Sequence, residues 1–336
     1  MKKVQKILCK EHNTFVANGI DQHRSTSLAP SELFQSFSKK LEQEINSRYS
    51  AINRILQQVL GKPYYSDKGF TLYNGDIIEI LEKLTKNNLK FDLTLTSPPY
   101  NIGKEYEKPM PVEEYIKWCG HWMNKIYDIT DNTGAFWLNI GYLEVPKKGL
   151  CVPIPYLLWD KSNFYFLQEV VWKYGAGVSA KRRLSPRNEK WLFYVKNPKD
   201  YTFNLDEIRD PNVKYPNQKK SGKYRCNPLG KNPSDVWEFP KVTTGSNRSS
   251  KERTEHPAQF PLSVVERIVK ASSNKAEIVF DPFAGSASAG IAAYGLGRIF
   301  VGVEINAAYC QMAVDRFEKF KVKRQQEQSQ LALFCR

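Results

Sequence analysis

Three short segments of this chain combine residue types that can do chemistry. The first, Ser97-Pro98-Pro99-Tyr100, follows an apolar run, Phe91–Thr96, that reads as a buried strand. Two prolines fix φ and leave carbonyls without competing local donors. The Ser97 hydroxyl and the Pro98 carbonyl can therefore both accept hydrogen bonds from one amino group, while the Tyr100 ring offers a stacking face. A rigid turn after a strand would account for the prolines. It would not account for a polar acceptor before them and an aromatic ring after them.

The second segment is Asp281-Pro282-Phe283-Ala284-Gly285-Ser286-Ala287-Ser288, after a short apolar strand at 278–280. Small residues after a parallel strand let a ligand approach the backbone at the carboxyl end of a sheet. Glu304 closes the next strand and is followed by Ile305; a carboxylate there can accept hydrogen bonds from both ribose hydroxyls. Tight strand–helix packing is the plainer explanation of the small residues, and a nucleoside cofactor is the chemical one. A dinucleotide would call for Gly-x-Gly-x-x-Gly, yet the positions two and five beyond Gly285 are Ala287 and Gly290. Asp281 beside the turn suits a cofactor that carries a cationic amine and no phosphate, which points to S-adenosylmethionine. The third segment, Glu255-His256-Pro257-Ala258-Gln259-Phe260-Pro261, leads into that region. A lone histidine is more often structural than catalytic, and Phe260 is a candidate wall for the cofactor.

An α/β alternation must position these segments. Apolar residues Phe34, Phe37, Leu41, Ile45, Ile52, Leu56 and Val59 predict a long amphipathic helix over 30–60, packed on the body or on a second subunit. Strands are expected at 70–73, 91–96, 135–140, 164–172, 190–195, 278–280 and 299–303. Helices are expected at 77–84, 112–126, 154–160, 262–272, 287–296 and 307–321. Between 175 and 253 the alternation gives way to Pro, Gly, Asn and Lys clusters interleaved with Tyr215, Tyr224, Trp237 and Phe239. Its aromatic content favours an ordered, loop-rich insertion over a disordered one. The expected division is an N-terminal extension (1–62), a catalytic domain (63–174 and 254–322), a recognition region (175–253) and a polar tail (323–336) that frays.

Charge supports that division. The net charge is +15, and residues 173–253 hold 19 Lys and Arg against eight Asp and Glu, an excess of eleven. A basic block of this size suits a polyanion, because Lys and Arg displace counterions from phosphates. The six cysteines lie far apart with no Cys-x-x-Cys, which favours free thiols over disulfides or a zinc site. No apolar run approaches a membrane span, and no hydrophobic signal follows Met1-Lys2-Lys3, so no membrane partner and a cytoplasmic, DNA-associated location are expected.

Ser-Pro-Pro-Tyr, His-Pro-Ala-Gln-Phe-Pro and Asp-Pro-Phe-Ala-Gly-Ser, in that order around a basic insertion, resemble the amino-methylating DNA methyltransferases of bacterial restriction–modification systems. The order is similar to their β group, and the resemblance covers roughly residues 69–320. It implies a doubly wound α/β fold with a mostly parallel seven-stranded sheet. It also implies that Asp281, Pro282, Phe283, Gly285 and Ser286 line the methionine end of S-adenosylmethionine, with Thr96 and Phe260 beside it. Glu304 and Ile305 would hold the ribose, and Asp76 would sit near the adenine. The catalytic residues would be Ser97, Pro98, Pro99 and Tyr100, gripping a base flipped from duplex DNA; Lys181, Arg182, Arg183, Arg187, Lys219, Lys220 and Arg225 would bind that duplex. The family usually has Gly-Ser-Gly-Thr-Thr where this chain has Gly285-Ser286-Ala287-Ser288-Ala289. Ala287 is tolerable there only if its φ is negative, since an alanine at φ > 0 carries a steric cost.

In that family a serine at the first motif position goes mostly with cytosine N4 and an aspartate with adenine N6. Cytosine N4 is therefore expected first, adenine N6 second. Transfer by direct displacement needs neither a cysteine nucleophile nor a metal. A restriction endonuclease of the same system is the expected partner, and a homodimer is an open arrangement. A methyltransferase of RNA or protein amides, or a nucleic-acid-binding protein with a decayed cofactor site, are the competing classes.

Overall fold

The strands and helices anticipated from the apolar pattern assemble about one sheet in the computed structural model, which describes residues 30–104, 107–175, 177, 179–243 and 250–334. Two compact units divide the chain, Met1–Leu41 and Glu42–Arg336, and the second holds the whole sheet. Helix α1 spans Pro30–Leu60; the side chains of Phe34 and Phe37 lie outside the described residues. Strands β1 (Tyr65–Asp67) and β2 (Phe70–Asn74) precede α2 (Ile77–Lys86) and β3 (Phe91–Thr96). Helix α3 (Val112–Ile129) runs into β4 (Thr130–Ile140), followed by the hairpin β5 (Tyr142–Val145) and β6 (Gly149–Pro153). After the single turn α4 (Pro155–Leu158) come β7 (Tyr165–Lys173), β8 (Asn188–Val195), the two-residue pair β9 (Lys219–Lys220) and β10 (Lys223–Tyr224), and β11 (Val236–Glu238). The chain ends with α5 (Leu262–Ser272), β12 (Ile278–Asp281), α6 (Ser288–Gly295), β13 (Ile299–Glu304) and α7 (Ala307–Phe334).

The main sheet has the order β1-β2-β13-β12-β3-β4-β8-β7-β11. Seven strands were expected, and β1 and β11 extend them to nine by adding one short strand at each edge. Strands β2, β13, β12, β3 and β4 are mutually parallel, and β8 runs antiparallel to both β4 and β7. From β12 the chain passes through α6 to β13 on one side; from β3 it passes through α3 to β4 on the other. Strand order therefore reverses between β12 and β3, where ligands bind in open α/β sheets.

Alternation along the strands divides the core between the two faces. Phe136, Leu138, Phe280 and Val301 pack on one side with Trp122 and Met123 of α3, Leu81 of α2, and Ile52 and Leu56 of α1. Trp137, Val279 and Phe300 face the other side with Val265 of α5, Ala292 of α6 and Phe317 of α7. Helix α1 thus buries Ile52 and Leu56 on the body, one of the two placements its pattern allowed.

Three expectations are corrected. Residues 175–253 do not form a wholly separate insertion, because β8 pairs with β4 and β7 inside the sheet and β11 extends it beside β7. The helix at 154–160 shortens to one turn. The tail does not fray from residue 322: α7 continues to Phe334 through a segment free of Pro and Gly.

Candidate active site

At the carboxyl ends of β12 and β13, two buried carboxylates stand on adjacent strands. Asp281 Oδ1 accepts from the Thr96 hydroxyl (2.6 Å) and from the Phe283 amide (3.1 Å). Among the described residues, both hydrogen bonds to this carboxylate fall on Oδ1. Thr96 is fully buried, so its part is to hold Asp281. Burial pushes the Asp281 carboxyl up to about 7; the Thr96 and Phe283 bonds oppose the rise and the Glu304 charge adds to it. Glu304 accepts the Gly285 amide on Oε2 and the Asn306 amide on Oε1, each at 2.9 Å. Burial raises its pKa as well, against these backbone donors.

Around these carboxylates the walls are aromatic and small. The Phe283 ring meets Trp122 and Trp118 of α3 edge-on, at centroid distances of 5.2 and 5.8 Å. Pro282 and Ser286 are buried, and Ile305 is exposed on the rim. The Phe260 ring packs on Trp191 at 5.2 Å, and its carbonyl accepts the Ser288 hydroxyl. Asp76 lies on the same end of the sheet, where Asn74 of β2 pairs with Glu304 of β13. Its carboxylate caps α2 by accepting the Ile78 amide at 2.8 Å.

The turn is braced from beneath. Gly285 has φ +50, and a Cβ there would lie 2.7 Å from His256 Nε2, so glycine is required by both conformation and space. His256 stacks edge-on against Tyr309, and its Nδ1 accepts the Ala258 amide. Burial, with the Arg316 charge second, lowers the His256 pKa to about 4. The ring is neutral at neutral pH and fills the space under Gly285, which makes this histidine a support for the turn. Arg316 of α7 donates to the Ser286 carbonyl and the Ser288 hydroxyl, both at 2.9 Å.

The condition set for Ala287 is not met: its φ is +54 and its ψ 40, the left-handed region. That conformation costs an alanine on the order of 1–2 kcal/mol. Its methyl is fully buried against the second face of the core, which returns about 0.8 kcal/mol. Glycine would also enlarge the unfolded ensemble, at about 0.4–1 kcal/mol. These terms nearly cancel, so Ala287→Gly is expected to shift the melting temperature by no more than about 2 °C. Differential scanning calorimetry checks this.

One strand away, the Ser97–Tyr100 loop is held by a chain of hydroxyls. Ser97 Oγ donates to Tyr100 Oη (2.9 Å), which donates to Asn139 Oδ1 (2.6 Å). Asn139 is fully buried at the end of β4 and donates its own amide to the Lys190 carbonyl. With its proton directed into this chain, Ser97 Oγ keeps its lone pairs for an incoming donor. The Tyr115 hydroxyl caps the Pro99 carbonyl (2.8 Å), while the Pro98 carbonyl accepts no hydrogen bond among the described residues. Glu107 closes the loop by accepting the amides of Tyr100, Ile102 and Gly103. The Tyr100 ring lies against Gly141, where a Cβ would come within 3.2 Å of it. Glu189 stands behind, 3.5 Å from Tyr100 Oη, and forms an ion pair with Lys241 (2.8 Å).

The basic residues divide between two places. Because β8 begins opposite the end of β4, the loop joining β7 to β8 rises from the same rim as Ser97. It carries Lys181, Arg182 and Arg183, all exposed, and Arg187, which is half-buried with Nη1 on the Pro186 carbonyl. Lys219, Lys220 and Arg225 are exposed on a separate arm, closed at its base where Asp210 pairs with Lys231. Asn139, Glu189, Lys241, Glu107, Tyr115 and Arg316 were not singled out from the sequence. Asn139 alone carried a signal, a polar residue inside an apolar strand.

The family model for DNA methylases of the N6/N4 type matches residues 91–315. The chain belongs to this family. It is 57% identical over 263 residues to the Type II methyltransferase M.ScaI of Streptomyces caespitosus, covering 78% of this chain and 86% of that one. It is 31% identical over 268 residues to the DNA adenine methyltransferase YhdJ of Escherichia coli (strain K12), covering 76% and 84%. Among solved structures, the PvuII DNA methyltransferase (cytosine-N4-specific) superimposes with a TM-score of 0.58 at 18% identity, over 77% of this chain and 93% of that one. A Thermus thermophilus protein described as a DNA modification methylase, solved with S-adenosyl-L-methionine, gives 0.52 at 21% identity over 74% and 93%.

This methyltransferase is S-adenosylmethionine-dependent, and the residues present fit that cofactor. Asp281 is a buried carboxylate with one oxygen lacking hydrogen bonds among the described residues, suited to a cationic group. Glu304 is fixed by backbone amides on both oxygens, suited to a ribose diol. Among the described residues, no helix is long and apolar enough to cross a membrane.

Proposed function

We propose that this DNA methyltransferase modifies cytosine N4 within a specific duplex site, as the modifying half of a restriction–modification system. The observation that carries the reading is the hydroxyl chain Ser97–Tyr100–Asn139 beside the Pro98 carbonyl, which accepts no hydrogen bond among the described residues. Together they present two neutral acceptors to one exocyclic amine. Hydrogen bonds to both amine protons would turn the nitrogen lone pair towards the cofactor turn on the neighbouring strand. When bound there, S-adenosylmethionine supplies an electrophilic methyl on a cationic sulfur. Ser97 and Pro98 orient the nucleophile; Tyr100 stacks on the base; Asp281, Phe283 and Glu304 hold the cofactor, with Thr96 positioning Asp281. Such catalysis rests on positioning and fixed dipoles.

A base inside a duplex cannot reach this loop, so the target must be flipped, at a cost of a few kcal/mol. Lys181, Arg182, Arg183, Lys219, Lys220 and Arg225 would offset that cost through phosphate contacts. An endonuclease reading the same site is the expected partner. The preference for cytosine rests on Ser97, a neutral residue where adenine enzymes mostly carry an aspartate. Adenine N6 is the second reading, favoured by the 31% identity to an enzyme named for adenine. Plasmid DNA treated with the enzyme and S-adenosylmethionine, digested to nucleosides and analysed by mass spectrometry, should yield N4-methylcytosine. N6-methyladenine alone would overturn the assignment.

A further inference from the structure

Leu184 is 94% exposed, so its side chain contributes almost nothing to the folded core. Single exposed leucines are ordinary. This one differs in its place. The Ala180 amide donates to Ser185 Oγ at 3.0 Å, pinching the β7–β8 loop so that residues 181–184 form its tip. Three of those four residues are Lys181, Arg182 and Arg183, and the fourth is Leu184.

The loop is rooted at the target end of the site. Below the pinch the two sides of the loop stay paired, the Tyr174 amide donating to the Arg187 carbonyl at 3.0 Å. Tyr174 also donates through its hydroxyl to Glu189, the carboxylate that lies 3.5 Å from Tyr100 Oη. The loop is therefore anchored through Glu189 to the ring expected to stack on the flipped base. A cationic tip ending in an apolar side chain has the chemistry of a wedge: the charges hold phosphates on either side while the apolar group enters the base stack.

We infer that Leu184 enters duplex DNA and fills the space left in the stack by the flipped target base. The inference rests on the base-flipping reading above. It predicts that Leu184 matters only where a paired, stacked base must be extracted, because extraction is easiest for mismatched bases.

The test uses the full-length enzyme and a duplex carrying its site, mapped from modified DNA, with 2-aminopurine beside the target base. Brightening of the probe on binding of the wild-type enzyme reports flipping; no brightening would overturn both readings. With brightening established, Leu184→Ala should lose at least about tenfold in single-turnover methylation of the matched duplex. It should recover to within about threefold of wild type when the target base is mismatched, and Leu184→Met should retain most activity on both duplexes. Unchanged methylation of the matched duplex by Leu184→Ala, or an equal loss on matched and mismatched duplexes, would overturn the wedge while leaving base flipping in place.

Discussion

Asp281→Asn is expected to weaken S-adenosylmethionine binding by on the order of 100-fold at pH 8, because it removes a charge-assisted contact from a buried site. The same substitution is expected to raise the melting temperature of the cofactor-free protein. The two effects share one cause. Asp281 is 3% exposed, and burial holds its carboxyl at about 7, above the unfolded value of 3.8. A carboxyl raised on folding contributes stability that is fully present below its unfolded pKa and is lost as pH rises towards its folded pKa. That stability is lost between 3.8 and about 7, so ionised Asp281 destabilises the empty protein in full above about pH 7. Asparagine keeps the Oδ1 acceptor for Thr96 and Phe283 without the charge.

Cofactor binding should reverse the balance, since a cation beside the carboxylate favours its ionised form. Wild-type affinity is expected to fall by up to about tenfold per pH unit below 7, as Asp281 takes up a proton that binding must expel. Asp281→Asn should lack that slope. Isothermal titration at pH 5.5, 7 and 8, with melting curves on the same samples, separates the outcomes. An Asn variant that binds as tightly as wild type at pH 8 would remove Asp281 from the cofactor site.

The two carboxylates and the Ser97 loop were legible because each sits in a contiguous motif at the end of a strand, where a local pattern identifies both chemistry and position. Sheet order then brought them together: Val279 and Phe280 pair with Leu93 and Thr94, so segments some 180 residues apart leave adjacent strands. The supporting residues were not legible for the converse reason. Asn139, Glu189, Lys241 and Arg316 are single polar residues on separate elements, and only tertiary structure gives each a partner. Strand β8 has a strand's apolar pattern, but the basic loops that flank it in sequence hide its place inside the sheet between β4 and β7. Strand β11 has three residues, too few to show a period. Helix α7 outruns its apolar stripe, and beyond residue 321 polar helix formers such as Gln, Glu, Lys and Arg continue it with no residue that would stop it. The left-handed Ala287 runs against local preference, and its buried methyl offsets much of that cost.

Tyr100 has two functions that substitution can separate. Its hydroxyl links Ser97 to Asn139, and its ring, lying against Gly141, offers a face to a base. Tyr100→Phe keeps the ring and takes the donor from Asn139 Oδ1, leaving a buried acceptor short of a partner at about 1–3 kcal/mol. Ser97 then loses the acceptor that directs its proton away from the incoming amine. The expected result is a roughly tenfold fall in the single-turnover rate, with a melting temperature lower by a few degrees and base flipping intact. Tyr100→Ala removes the ring as well, and the stacking of one base on an aromatic side chain is worth about 1–3 kcal/mol. Its kcat/KM should therefore fall by on the order of 1,000-fold relative to wild type, with loss of the 2-aminopurine signal. Tyr100→Trp, which keeps a stacking face without the hydroxyl, should flip the base as Tyr100→Phe does. If Tyr100→Ala were no slower than Tyr100→Phe, the ring would not touch the base, and the loop would act through its acceptors alone.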